Sequence, residues 1–199
     1  MSYALGDFCD DTRAILLESD DRNGREIIRQ KLELLLRDAA FCAAYVGPDS
    51  DLGVRQIFAD PDLHFCVLAY NMAESRTSPP HDHGRSWAVY GQAAGHTDMT
   101  IWSAAGSCDG KGHREGDGKG HIEDDGQDDG NIEPVRTFRL EPGQAGLFDV
   151  REIHSIQYPD GSKFVRVTGV DMSRETRRVF DLETGTVREI EHVGAGNTR

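Results

Sequence analysis

A chain of 199 residues, 37% of them hydrophobic, is long enough for one domain with a self-sufficient core. Its net charge of −13 works against non-specific attachment to nucleic acid or acidic membranes, so neither is expected as a partner. No run approaches the roughly 20 apolar residues that a bilayer span needs, and the first residues carry neither a basic nor an apolar block.

In chain order, residues 1–50 read as a helical segment packed on the β domain after it. A short helix is expected over 12–18. A longer one is expected over 22–46, where Ile27, Ile28, Lys31, Leu32, Leu35, Leu36 and Ala39 recur at three- and four-residue steps and no proline intervenes. Ser19-Asp20-Asp21 offers its N-cap, and Gly47-Pro48 ends it. Residues 51–199 read as that β domain. Candidate strands lie at 63–70, 87–91, 98–102, 135–140, 146–149 and 163–170, with weaker ones at 177–181 and 186–190. Short strands parted by Gly, Pro and Asp predict an antiparallel barrel or jelly roll. Residues 107–130 form an acidic, glycine-rich insertion with a tandem repeat, Asp109 to His113 and Asp117 to His121, too polar to bury a core. Residues 194–197 are expected to fray. Cys9, Cys42, Cys66 and Cys108 form no C-x-x-C pair, which predicts reduced thiols in a cytoplasmic protein.

The chemistry concentrates in three histidines. His81 and His83 form an H-x-H pair, and residues i and i+2 of a strand share a face, so both imidazoles can reach one metal ion. His154 can complete a set of three, leaving positions open for water, oxygen or substrate. The plainer alternative is a solvated loop and a strand cap. Among the remaining histidines, His64 fits a hydrogen-bonded core strand and His96 a turn or an outer ligand sphere. Tyr90 and Tyr158 are candidates for a hydroxyl at the site, or for satisfying local backbone groups. Trp87 and Trp102 are expected to pack the barrel.

With both histidine motifs in order, residues 63–172 resemble the cupin superfamily, whose fold is a double-stranded β-helix barrel. The usual first motif carries a glutamate a few residues after H-x-H, where this chain has Ser86, Trp87 and Ala88. Three histidines without that carboxylate resemble the thiol dioxygenase branch, the cysteine and mercaptopropionate dioxygenases. That resemblance implies Fe(II) on His81, His83 and His154, with dioxygen and a small thiol carboxylate as reactants. It also implies an arginine ahead of the pair as carboxylate anchor, a place that Arg55 occupies. The family's Ser-x-His-x-Tyr relay falls on Arg166, Thr168 and Val170, and its crosslinking cysteine on Ala88, so both features are missing. Arg166 can instead bind an anionic substrate, or pair outward with an acid. Three readings stay open: a thiol dioxygenase; a zinc, nickel or manganese hydrolase, lyase or isomerase; and a non-enzymatic binding module. A homodimer through sheet edges is left open too.

Overall fold

The computed structural model describes residues 3–105 and 130–191. The expectations for the glycine-rich insertion, Gly130 apart, and for fraying at 194–197 lie outside the described residues.

Three helices open the chain: α1 (Leu5–Glu18), α2 (Arg22–Leu35) and α3 (Ala39–Tyr45). Asp21 caps α2 as anticipated, accepting the Gly24 N–H at 2.9 Å. The unbroken helix expected over 22–46 is corrected to two. Asp38 accepts the Phe41 N–H at 2.8 Å and starts α3 afresh. A short acidic side chain that captures backbone donors interrupts a helix without any proline. The helix expected at 12–18 starts earlier, at Leu5, where Asp7 accepts the Ala4 N–H at 2.8 Å.

Eleven strands come next among the described residues: β1 (Gly53–Ala59), β2 (Cys66–Asn71), β3 (Arg76–Thr77), β4 (Ala88–Ala94), β5 (Thr97–Ala104), β6 (Ile132–Leu140), β7 (Ala145–Phe148), β8 (Ile153–Tyr158), β9 (Lys163–Thr168), β10 (Arg177–Asp181) and β11 (Thr186–Ile190). The expected strands all appear, with shifted ends. β1, β3 and β8 are additions: β1 is an edge strand without clean alternation, β3 has two residues, and β8 is the strand that carries His154. His64 is not a core strand residue. It is exposed in the turn before β2, at φ 64°.

The strands form two main sheets, in the orders β1-β2-β9-β4-β7 and β3-β8-β5-β6, plus the hairpin β10-β11. From β2 to β9 the chain passes between the two main sheets at every step except β5 to β6. Every pairing within them is antiparallel. This order is that of a jelly roll, a double-stranded β-helix.

Strand alternation divides the first sheet into two faces. Val67, Ala69, Val89, Val165 and Val167 point outward under the helices, with Ile28, Leu32, Leu35 and Phe41 completing that core. At Gly91 a β-carbon would lie 2.7 Å from Leu36 and 2.8 Å from Leu32, so glycine there lets α2 lie flat across β4. Glu33 and Arg29 bind the backbone of Ala145, at 3.0 and 3.1 Å, fastening α2 to edge strand β7. The opposite face, carrying Ala88, Tyr90, Phe148 and Phe164, meets Met99, Ile156 and Tyr158 of the second sheet. The inner space between the sheets is where the histidines lie.

Candidate metal centre

His154 lies on β8 and pairs across to Ile101 of β5. His81 and His83 do not lie on a regular strand, which corrects the expectation. Their segment runs extended between β8 and β10, held by bridges from His81 to His154 and to Val179. The His81 N–H donates to the His154 carbonyl and the His154 N–H to that of His81, both at 2.9 Å. The first motif and the third histidine are thus tied by a reciprocal backbone pair. Ring centroids lie 5.4 Å apart for His81 and His83, 4.6 Å for His81 and His154, and 5.1 Å for His83 and His154. One ligand nitrogen from each falls within 4.8 Å of the others.

Asp82 turns away from its two neighbours and locks them. Its side chain is fully buried. Oδ2 accepts the Arg178 Nε–H at 2.7 Å, while Oδ1 accepts the backbone N–H of Arg178 at 2.9 Å and of Gly84 at 3.0 Å. Gly84 takes φ 60°, and a β-carbon there would come within 2.1 Å of the Thr176 carbonyl. Only glycine lets the chain turn this tightly against the approach to β10.

The second nitrogens of two rings are positioned by backbone. His81 Nδ1 lies 2.9 Å from the Pro79 carbonyl, and His154 Nδ1 lies 3.3 Å from that of Glu152. An N–H donated there leaves Nε2 as the lone-pair nitrogen. Phe148 stacks on His154 with centroids 4.1 Å apart. Among the described residues, His154 Nε2 and His83 Nδ1 are buried without a hydrogen-bond partner. Buried nitrogens are nearly always satisfied, and two orphans in one triad fit a group that accepts lone pairs, namely a metal cation. Burial lowers all three imidazole pKa values, that of His81 to about 4, so the rings are neutral at pH 7 as ligation requires.

Around the triad stand three tyrosines and two buried arginines. Tyr90 on β4 places its hydroxyl 3.2 Å from His83 Nε2. Arg166, paired with Tyr90 and Leu68 in the sheet register, shares their inner face. Its guanidinium faces the Tyr90 hydroxyl and lies 5.2 Å from the Tyr70 ring centroid. Tyr158 is buried on the same inner face. Arg177, at the start of β10, is 9% exposed and close enough to lower the pKa of every ligand imidazole. Nothing in the local sequence marked Arg177, because its place at the site depends on β10 pairing with the histidine segment.

Arg55 does not join this group. It pairs with Ala69, whose side chain belongs to the helix-covered face, and its guanidinium lies 5.6 Å from the Tyr45 ring centroid and 3.6 Å from Asp51. Alternation along β1 therefore directs it away from the histidines, and its expected role as anchor is withdrawn. His96 is half-exposed, 4.0 Å from Asp98. Trp87 packs in the helix-side core, while Trp102 donates to the Ser155 hydroxyl at 3.0 Å. Burial pushes Cys66 up to about 11 and Cys9 up to about 12, so neither is a thiolate at neutral pH.

No known family profile and no curated protein matches the chain. Solved structures similar to it include the cupin domain of Schizosaccharomyces pombe Cnp3, with 11% identity and a TM-score of 0.38 over 69% of this chain and 68% of that one. KdgF from Halomonas sp. shows 13% identity and a TM-score of 0.39 over 63% and 90%. Cellulomonas parahominis L-ribose isomerase with L-ribose shows 15% and 0.39 over 58% and 59%. At such scores these likenesses carry no chemical argument, and the strand order itself defines the fold. No helix among the described residues is long and apolar enough to cross a membrane. The chain is a double-stranded β-helix whose inner face carries a buried three-histidine group able to hold a metal ion.

Proposed function

We propose that the protein is a mononuclear Fe(II) enzyme that oxidises a small thiol-bearing carboxylate with dioxygen, in the cytoplasm, with neither nucleic acid nor membrane as partner. The observation that carries this reading is Arg166. It brings a guanidinium whose buried Nε has no partner among the described residues to the same inner face as three neutral imidazoles. A cation held by neutral ligands keeps its full charge and favours an anionic sulfur ligand. Bound at His81, His83 and His154, ferrous iron would supply the electron-transfer chemistry that lets dioxygen react.

The chain's own residues do the rest. Arg166 would take the carboxylate through its planar fork, orienting the sulfur toward the triad. Tyr90, between Arg166 and His83, would offer a hydroxyl donor or acceptor where charge changes on sulfur and oxygen. Phe148, Phe164 and Met99 would keep water from the reacting atoms. The balanced reaction is R–SH + O2 → R–SO2⁻ + H⁺, with both oxygen atoms entering the new S–O bonds.

A second reading keeps the site and changes the metal to zinc, nickel or manganese, for hydrolase, lyase or isomerase chemistry. The absent relay favours it: the Thr168 hydroxyl is engaged with the Val170 carbonyl at 2.8 Å, and Ala88 offers no sulfur. One experiment separates the two. Protein loaded anaerobically with Fe(II) is given 3-mercaptopropionate and then dioxygen. Oxygen uptake one-to-one with sulfinate, lost in His154→Ala, supports oxidation. Absence of uptake with every mercaptocarboxylate tried, in protein that purifies with tight zinc, selects the second reading.

A further inference from the structure

The inner face holds more positive charge than one carboxylate can answer. Arg177 is 9% exposed and its Nε has no hydrogen-bond partner among the described residues. The groups acting on it are the hydroxyls of Tyr90 and Tyr70 and two further guanidiniums, Arg166 and Arg76. Arg76 hydrogen-bonds the Tyr158 hydroxyl. The carboxylate nearest in sequence to the ligands, Asp82, faces Arg178. Neither Arg166 nor Arg177 forms an ion pair with any described residue, although Arg13, Arg22, Arg25, Arg29, Arg139 and Arg178 all do. A buried guanidinium without a counter-ion is strongly destabilising. Two of them, within electrostatic reach of each other and of the three imidazoles, persist where a ligand completes them.

We propose that the substrate is a dianion, held jointly by Arg166 and Arg177, so that β10 of the C-terminal hairpin contributes a substrate-binding residue to the barrel. The dianion is two carboxylates on a short chain or a single phosphoryl group. The inference rests on the reading of the inner face as the substrate site, but it does not require that the reaction be an oxidation. Arg166 comes from β9 inside the barrel and Arg177 from a strand outside it, so the two guanidiniums reach the ligand from different elements. A monoanion can satisfy one of them and leaves the other uncompensated.

The test uses the full chain, stripped of metal, with three probes of similar size: succinate, inorganic phosphate at pH 8, and butyrate. Calorimetric titration is expected to give at least one dianion a Kd ten-fold or more below that of butyrate. Arg177→Gln should bring the dianion's Kd up to that of butyrate while leaving butyrate's own Kd in place, which also shows that the variant is folded. Without ligand, Arg177→Gln is expected to melt about 2–4 °C higher than the parent, because removing an uncompensated buried charge stabilises. A structural arginine would shift melting the other way. Butyrate binding as tightly as both dianions, or dianion binding indifferent to Arg177→Gln, overturns the proposal. Failure of the oxidation reading shows differently, as tight dianion binding with no oxygen uptake from any mercaptocarboxylate or mercaptodicarboxylate.

Discussion

Each imidazole of the triad is kept neutral by burial, and that has a sign. His81 drops from 6.5 to about 4, and His83 and His154 fall well below their usual value. An unfolded chain therefore takes up these protons first as pH falls, so metal-free protein loses stability between pH 6.5 and 4 and keeps it above 6.5. The His81 shift alone corresponds to about 3 kcal/mol, at roughly 1.4 kcal/mol per pKa unit. Urea midpoints in the presence of chelator should fall steadily across that window, and a flat profile would contradict the buried neutral triad. Asp82 acts on the same residues without touching a ligand. Replacing Asp82 by Asn removes the charge that holds Arg178, and metal affinity should drop about 10–100-fold. Metal titration by competition with a chromophoric chelator measures this, and an unchanged affinity would mean that Asp82 only braces β10.

At the scale of elements, the site is a junction of three pieces: the histidine segment, β8 and β10. β10 runs beside the histidine segment, with the Asp82 N–H donating to the Arg178 carbonyl at 3.1 Å and the Phe180 N–H to that of Pro80 at 2.9 Å. Gly84 is the pivot. A methyl group there meets the Thr176 carbonyl and must displace one element or the other. Gly84→Ala is therefore expected to weaken metal binding at least ten-fold and to lower the melting temperature, whereas clash-free accommodation would leave both unchanged. The local sequence showed most of these elements but not their joints. Alternating β-formers announced β4, β5 and β9, but not β8. Nothing near Arg177 or Tyr70 indicated that they would meet the histidines, because cross-strand neighbours are set by register rather than by sequence distance. Arg55 failed for the same reason: a gap count places a residue along a strand but not on a face.

For the whole molecule, the jelly roll brings the two ends of the glycine-rich insertion together. Ala104 pairs with Ile132, and the Ala105 N–H donates to the Asn131 carbonyl at 2.8 Å. Replacing residues 107–129 by a two-residue Asn-Gly turn should thus leave the fold intact and change stability by no more than about 2 kcal/mol, the scale of loop-closure entropy. Thermal melting and metal content of the shortened chain check this, and loss of either would assign the insertion a part in the fold or the site.

The sequence by itself determined the fold class, the three histidines and the missing relay, because strand periodicity, turn residues and side-chain chemistry are local properties. It could not decide which charges stand around them. That Arg166 faces inward, that Arg55 faces the helices, and that Arg177 arrives from the C-terminal hairpin result from strand pairing between segments up to about a hundred residues apart. A one-residue change of register would reverse each of those faces, and only the packed sheets fix it.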